Sequence, residues 1–203
     1  MKKNKISKNW INKQKRDIFV RKSKIEGYRS RAVYKLEEIN KKFKILDSSY
    51  NILDLGGAPG SWSQYVSKEI KIGKILSIDL IDMEKIDKVF QLKGDFTLDS
   101  NQQKIRKFFM GEVDLVLSDM AVNTTGNKDL DSLMTGNLCL EAMEFSKKIL
   151  KKDGKFVAKI FMGSSFKELN TKAQKIFKKV NIYKPKASRK NSKENFIICQ
   201  FLC

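Results

Sequence analysis

The feature that most constrains this chain is a strand that turns through glycines into a helix. Asn51-Ile-Leu-Asp-Leu55 is a short apolar run, Gly56-Gly-Ala-Pro-Gly60 is a turn, and Ser61 opens a helical stretch to about residue 70. The alternation then repeats. Strands are expected at 74–79, 89–92, 113–118, 155–161, 181–183 and 196–201, with helices at 101–109, 130–150 and 164–177, the second of these stopped by Asp153-Gly154. Parallel strands need long crossover connections, and helices supply them, so this order calls for an α/β fold with a mostly parallel sheet covered on both faces. A further amphipathic helix precedes it, carrying Val33, Leu36, Ile39 and Phe43 at spacings of three and four. With 203 residues, a basic N-terminal arm over 1–24 and one domain over 25–203 are expected.

The glycine turn lies where a strand becomes a helix, at the C-terminal edge of the sheet. Glycines there let backbone approach a ligand, and the helix start offers N–H groups. Asp54, Asp79 and Asp95 all fall at strand ends on this edge. Asp79, 25 residues after Asp54, is placed to accept hydrogen bonds from both hydroxyls of a ribose. A dinucleotide fits poorly, because G-x-G-x-x-G is missing and Pro59 removes an N–H that pyrophosphate would use. A cofactor without phosphate, S-adenosyl-L-methionine, fits better. The bare alternative is a tight turn and nothing more.

Three further segments carry chemistry. Asp119, in Leu117-Ser-Asp-Met-Ala-Val-Asn123, would lie beside the cofactor, or else cap its loop. Lys159 sits inside the apolar strand Phe156-Val-Ala-Lys-Ile-Phe161, where a lysine is costly unless paired, at an edge, or able to reach water. The segment Lys184-Pro-Lys-Ala-Ser-Arg-Lys-Asn-Ser-Lys-Glu194 is a basic, hydroxyl-rich loop entering a strand at a lone glutamate. It reads as phosphate-contacting or as an ordinary solvated hairpin loop.

Charge points to the partner. The net charge is +19, divided as +11 over 1–50, −3 over 51–150 and +11 over 151–203. Basic ends around a slightly acidic middle favour nucleic acid, with a lysine-biased solvated surface as the other reading. Lys22, Lys24, Arg29 and Arg31 are the residues expected to meet a nucleic-acid backbone. The chain has no histidine, which excludes Ser-His-Asp and Cys-His catalysis and imidazole acid–base chemistry. Cys139, Cys199 and Cys203 lack metal spacing, so no metal site is expected and the thiols read as reduced, in the cytoplasm. No apolar run approaches the ~20 residues of a membrane span, and no secretory signal is recognised.

Together these segments resemble the FtsJ-like family of ribosomal RNA 2′-O-ribose methyltransferases. The carriers are Tyr28-Arg-Ser-Arg-Ala-Val-Tyr-Lys35, Leu53-Asp-Leu-Gly-Gly-Ala-Pro-Gly-Ser-Trp-Ser-Gln64, Ser118-Asp-Met-Ala121, Val157-Ala-Lys159, and Lys184-Pro with Ser188-Arg189 and Ser192-Lys-Glu194. The resemblance implies a Rossmann-like methyltransferase sheet of seven strands, one of them antiparallel. It implies a catalytic tetrad of Lys35, Asp119, Lys159 and Glu194, and cofactor positions Gly60, Trp62, Asp79, Asp95 and Asp119. It implies a uridine 2′-hydroxyl of 23S ribosomal RNA as substrate, met within the large (50S) subunit; a monomer is expected because nothing in the sequence suggests an obligate dimer seam. Two departures stand out: Val122 where the family usually has proline, and Phe196 where it usually has tyrosine. The other readings are a 2′-O-methyltransferase for transfer RNA or capped RNA, and a non-catalytic RNA-binding module. A filled tetrad opposes the last, and Pro59 opposes a nicotinamide-dependent dehydrogenase.

Overall fold

A computed structural model describes residues 17–121, 127–163 and 165–203. Val122, one of the two departures, lies outside them, as do residues 1–16 of the expected arm. Strands β1 (Ile52–Leu55), β2 (Ile75–Asp79), β3 (Val89–Lys93), β4 (Val113–Ser118), β5 (Leu150–Phe161), β6 (Phe177–Tyr183) and β7 (Glu194–Leu202) form one sheet in the order β3-β2-β1-β4-β5-β7-β6. β1 is parallel to β2 and β4, β2 to β3, and β4 to β5. β7 alone is reversed, antiparallel to β5 and β6. The expected mostly parallel sheet with one antiparallel strand is therefore the one observed.

Strand order reverses between β1 and β4. Connections leave such a switch point in opposite directions, and a crevice opens beyond the strand C-termini. Leu55 pairs with Ser118, so the glycine turn after β1 lies beside Asp119.

Six helices are described: α1 (Ile18–Ile25), α2 (Val33–Phe43), α3 (Ser61–Glu69), α4 (Asp99–Phe109), α5 (Lys128–Lys147) and α6 (Phe166–Ile176). Strand side chains alternate between the two faces. Leu53, Leu55, Val116, Phe156 and Ala158 pack with Ile105 of α4, Met143 of α5 and Leu169 of α6. Ile52, Leu117, Val157, Phe196 and Ile198 pack with Leu36 and Ile39 of α2 and with Trp62 and Val66 of α3. The same alternation sets the site. Asp119 follows Leu117 by two residues, Lys159 follows Val157 by two, and Glu194 precedes Phe196 by two, so all three belong to the face that α2 covers.

The stretch before Lys155 differs from expectation. α5 stops at Lys147, and β5 already begins at Leu150. Leu150 is buried and pairs with Val113, and the register then shifts between Val113 and Leu115. Lys151 Nζ bonds Asp114 Oδ1, and Asp114 Oδ2 accepts Asn51 N at 2.7 Å. Asp153-Gly154 thus marks an irregularity within a long strand and does not end a helix. β6 likewise starts at Phe177, earlier than expected, because this ring is buried in parallel contact with Phe156, centroids 6.2 Å apart.

Candidate active site

The four side chains of the implied tetrad meet at the C-terminal edge of the sheet. Lys35, in the first turn of α2, places Nζ 2.7 Å from Glu194 Oε2 and 3.8 Å from Asp119 Oδ2. Lys159 Nζ lies 3.0 Å from Asp119 Oδ1. The same Nζ also hydrogen-bonds the Asp119 carbonyl, so Lys159 holds both the carboxylate and the backbone of one residue. Lys159 is therefore neither an edge residue nor reaching for water: it is the paired mid-strand lysine. Burial, the largest influence on the Asp119 carboxyl, raises its pKa, but Lys159 and Lys35 together outweigh it and hold the pKa below the ordinary carboxylate value. Two lysines and two carboxylates thus form a nearly neutral, mostly enclosed cluster.

A second hydrogen bond orients the glutamate. Ser188 Oγ donates to Glu194 Oε1 at 2.7 Å. Phe196, the other departure, is fully buried beneath the cluster, with Lys35 Nζ 5.7 Å from its ring centre and Trp62 against it at 5.8 Å.

Next to Asp119 lies a pocket lined by Ser30, Asp54, the 56–59 turn, Ser61 and Trp62. Glycine is needed in the turn for packing as well as for any ligand. A Cβ on Gly56, at φ +69°, would fall 2.0 Å from Met120 Cγ, and one on Gly57 would fall 1.9 Å from Ser77 Oγ. The turn's amides are already engaged. Gly56 N donates to Ile78 O at 2.8 Å and Ala58 N to Asp79 Oδ2 at 3.0 Å. Pro59 has no N–H, so this turn cannot cradle a pyrophosphate. Gly60, at φ +109°, caps α3.

Of the remaining expected cofactor residues, Trp62 lines this pocket, whereas Asp79 and Asp95 stand outside its lining, at the ends of β2 and β3. Asp79 stands at the end of β2, with Oδ1 accepting Ile81 N at 2.9 Å. Asp95 follows β3, with Oδ1 accepting Thr97 N at 2.9 Å. Trp62 turns its indole into the core, where Nε1 donates to Ala32 O at 2.8 Å; it is through the first turn of α3 that this residue meets the pocket. Asp54 is fully buried and accepts Ser63 Oγ at 2.6 Å. Burial, reinforced by Asp119 and Asp79, raises its pKa to about 7 against the opposing Ser63 hydrogen bond. A partly neutral carboxyl surrounded by further acids suits a cationic, phosphate-free ligand, as S-adenosyl-L-methionine is.

The basic residues sort differently from expectation. Arg29 donates to Pro59 O at 3.0 Å and Lys85 O at 3.2 Å. Arg31 bonds Asp17 Oδ2 and Ala187 O. Both guanidiniums therefore brace the protein and are not free for phosphates. Lys22 leans on the Tyr34 ring at 4.4 Å, and Lys24 is exposed. The 184–193 loop is not an ordinary solvated hairpin, since Ala187 and Ser188 are buried. Glu38 clamps it by accepting Lys186 N at 2.6 Å and Ala187 N at 2.8 Å. Sequence reasoning missed Asp17, Glu38 and Ser188. Each is a common surface residue type whose role exists only through the contact it makes in the folded chain; the one local signal is that Asp17 is an acid inside a basic stretch.

A family model described as FtsJ-like methyltransferase matches residues 28–202. A relative from Pelagibacter ubique named ribosomal RNA large subunit methyltransferase E is 58% identical over 202 residues, covering 100% of both chains. A protein of the same name from Rickettsia akari is 46% identical over 198 residues, covering 95% of this chain and 87% of its own. A Plasmodium falciparum structure described as a ribosomal RNA methyltransferase superposes with a TM-score of 0.77 at 32% identity, covering 86% of this chain and 98% of its own. The family match takes in all four tetrad positions and both ends of the sheet's switch point. The chain belongs to the FtsJ-like methyltransferase family.

Proposed function

We propose that this protein transfers a methyl group from S-adenosyl-L-methionine to the ribose 2′-hydroxyl of a uridine in 23S ribosomal RNA. The observation that carries the reading is the convergence of Lys35, Asp119, Lys159 and Glu194 beside the glycine-turn pocket, with separations of 2.7 to 3.8 Å. The names of the relatives supply the ribosomal large subunit as the setting. The assembled 50S subunit, a monomeric enzyme and the cytoplasm complete the reading; among the described residues, no helix is long and apolar enough to cross a membrane. Residues 1–24 act as a basic arm on RNA in this account, with 25–203 as the methyltransferase domain.

When bound, S-adenosyl-L-methionine supplies a methyl carbon already activated by its sulfonium. Gly60, Trp62, Asp79, Asp95 and Asp119 are the residues that hold it. What remains for the protein is alignment and proton removal. Lys159 Nζ, as the free amine, accepts the proton of the 2′-hydroxyl and becomes the ammonium. Lys35 and Glu194 position the ribose, Lys35 as donor and Glu194 as acceptor. Asp119 stands between the two lysine Nζ groups and orients them, one on each carboxylate oxygen. With no histidine in the chain, a lysine is the amine available for this task.

The test is incubation with tritiated S-adenosyl-L-methionine and, separately, large subunits, small subunits and transfer RNA. Label in 23S RNA, recovered in an alkali-resistant dinucleotide, is expected. Label in transfer RNA alone overturns the substrate, and failure to bind the cofactor overturns the enzyme reading.

A further inference from the structure

The mouth of the tetrad carries an arrangement that the catalytic roles do not use. A pocket lined by Ser30, Arg31, Lys35, Arg189, Ser192 and Glu194 opens over the cluster. Two arginines share it, and their charges oppose one another: burial first, and then Arg189, lower the Arg31 pKa against the pull of Glu194. Like charges at close range need an anion between them. In this protein the anion is Asp17, almost wholly enclosed, just ahead of α1.

Asp17 performs three tasks with one carboxylate. Oδ1 accepts Phe19 N at 3.1 Å and so caps α1. Oδ2 bonds Arg31 Nη1 and lies 3.6 Å from Arg189 Nε. Arg31 continues through Nη2 to Ala187 O, next to the Ser188 that orients Glu194. Arg189 is about a third exposed. Its Nε side faces Asp17, and among the described residues its Nη groups have no hydrogen-bond partner. A guanidinium held by one edge with the other edge open is set to meet a phosphodiester with two parallel hydrogen bonds.

We propose that Asp17 is a positioning residue of the RNA site: it pins Arg31 and presents Arg189 to a backbone phosphate of the strand that carries the target ribose. This rests on the RNA-methyltransferase reading above and names one phosphate contact within it. It also makes α1 part of the RNA site. Glu38 clamps the 184–193 loop independently, so losing the Asp17 charge loosens Arg189 while Glu194 stays in place.

Asp17→Asn isolates the charge, because asparagine caps helices as well as aspartate does. The assay uses full-length protein, tritiated S-adenosyl-L-methionine and large subunits from cells lacking this methylation. Asp17→Asn is expected to raise KM for subunits about tenfold, leaving kcat and the cofactor Kd within about twofold. Arg189→Ala should raise KM similarly and reduce the salt slope of RNA binding by about 1. The double variant should match Arg189→Ala alone, since both act on one contact. A subunit KM within twofold of wild type in Asp17→Asn overturns the proposal. So does a loss spread equally over kcat and cofactor binding, or multiplication of the two effects in the double variant. If Asp17→Asn does not fold, Arg189→Ala decides by the same KM criterion. If wild type labels no subunits, the substrate reading fails separately, and affinity for a fluorescein-labelled RNA oligonucleotide replaces KM.

Discussion

Lys35 and Glu194, 159 positions apart in the chain, are joined by a 2.7 Å ion pair in which both side chains are almost fully enclosed. Enclosure gives the pair its consequence. Removing one partner leaves a desolvated charge without its counter-ion, and that costs more than the pair itself contributes. Lys35→Ala and Glu194→Ala should therefore each lower methyl transfer sharply, and the double variant should lose far less than the product of the two. A double-mutant cycle on kcat measures this; effects that simply multiply would mean the residues act separately.

Ser188 tests whether the glutamate must be oriented as well as paired. Ser188→Ala removes the donor to Glu194 Oε1 and leaves a buried acceptor less satisfied. A loss of about 1 kcal/mol in stability and a several-fold fall in kcat are expected, with Ser188→Thr retaining the hydroxyl and the rate. Equal kcat in all three proteins would remove Ser188 from the account.

Asp54 gives the apo protein a pH dependence of definite sign. Its carboxyl titrates near the ordinary 3.8 in the unfolded chain and at about 7 in the folded one. Between those values the folded state holds a proton that the unfolded state has shed. Stability from this group therefore falls as pH rises from about 4 to about 7, by roughly 4 kcal/mol in total. Urea unfolding at pH 5 and pH 8 should show the decline, and Asp54→Asn, which still accepts from Ser63, should flatten it. A cationic ligand favours the ionised form, so cofactor affinity should rise over the same window, with proton release seen by calorimetry in buffers of different ionisation enthalpy.

The glycine turn is expected to resist substitution on packing grounds alone. Gly56→Ala places a methyl against Met120 in a backbone conformation unsuited to an L side chain. Destabilisation of about 1–3 kcal/mol is expected, read as the midpoint of urea unfolding without cofactor. An unchanged midpoint would show that the turn relaxes freely.

Much of this was legible in the sequence, and the exceptions share a cause. The strand–turn–helix repeat specified the sheet because hydrophobic period and glycine position are local signals. The motif set placed the tetrad because each member sits at a strand or helix end that topology brings to one edge. The start of β5 was missed because Asp153-Gly154 looks the same in a helix stop and in a strand irregularity; burial of Leu150 and the Lys151–Asp114 pair decide between them. Arg29 and Arg31 looked like RNA contacts because composition counts charge without showing which charges are already paired. Asp17, Glu38 and Ser188 act across contacts spanning from 6 residues to more than 140, and no local pattern marks Glu38 or Ser188.

The most direct measurement is single-turnover methyl transfer by Lys159→Ala. Wild type and variant are mixed with tritiated S-adenosyl-L-methionine and unmethylated large subunits, and label is quantified in the alkali-resistant dinucleotide of 23S RNA. A rate lower by roughly 10²–10⁴ is expected, as for loss of a positioned proton acceptor, with cofactor Kd within about threefold of wild type. A near-normal rate with intact cofactor binding would contradict it.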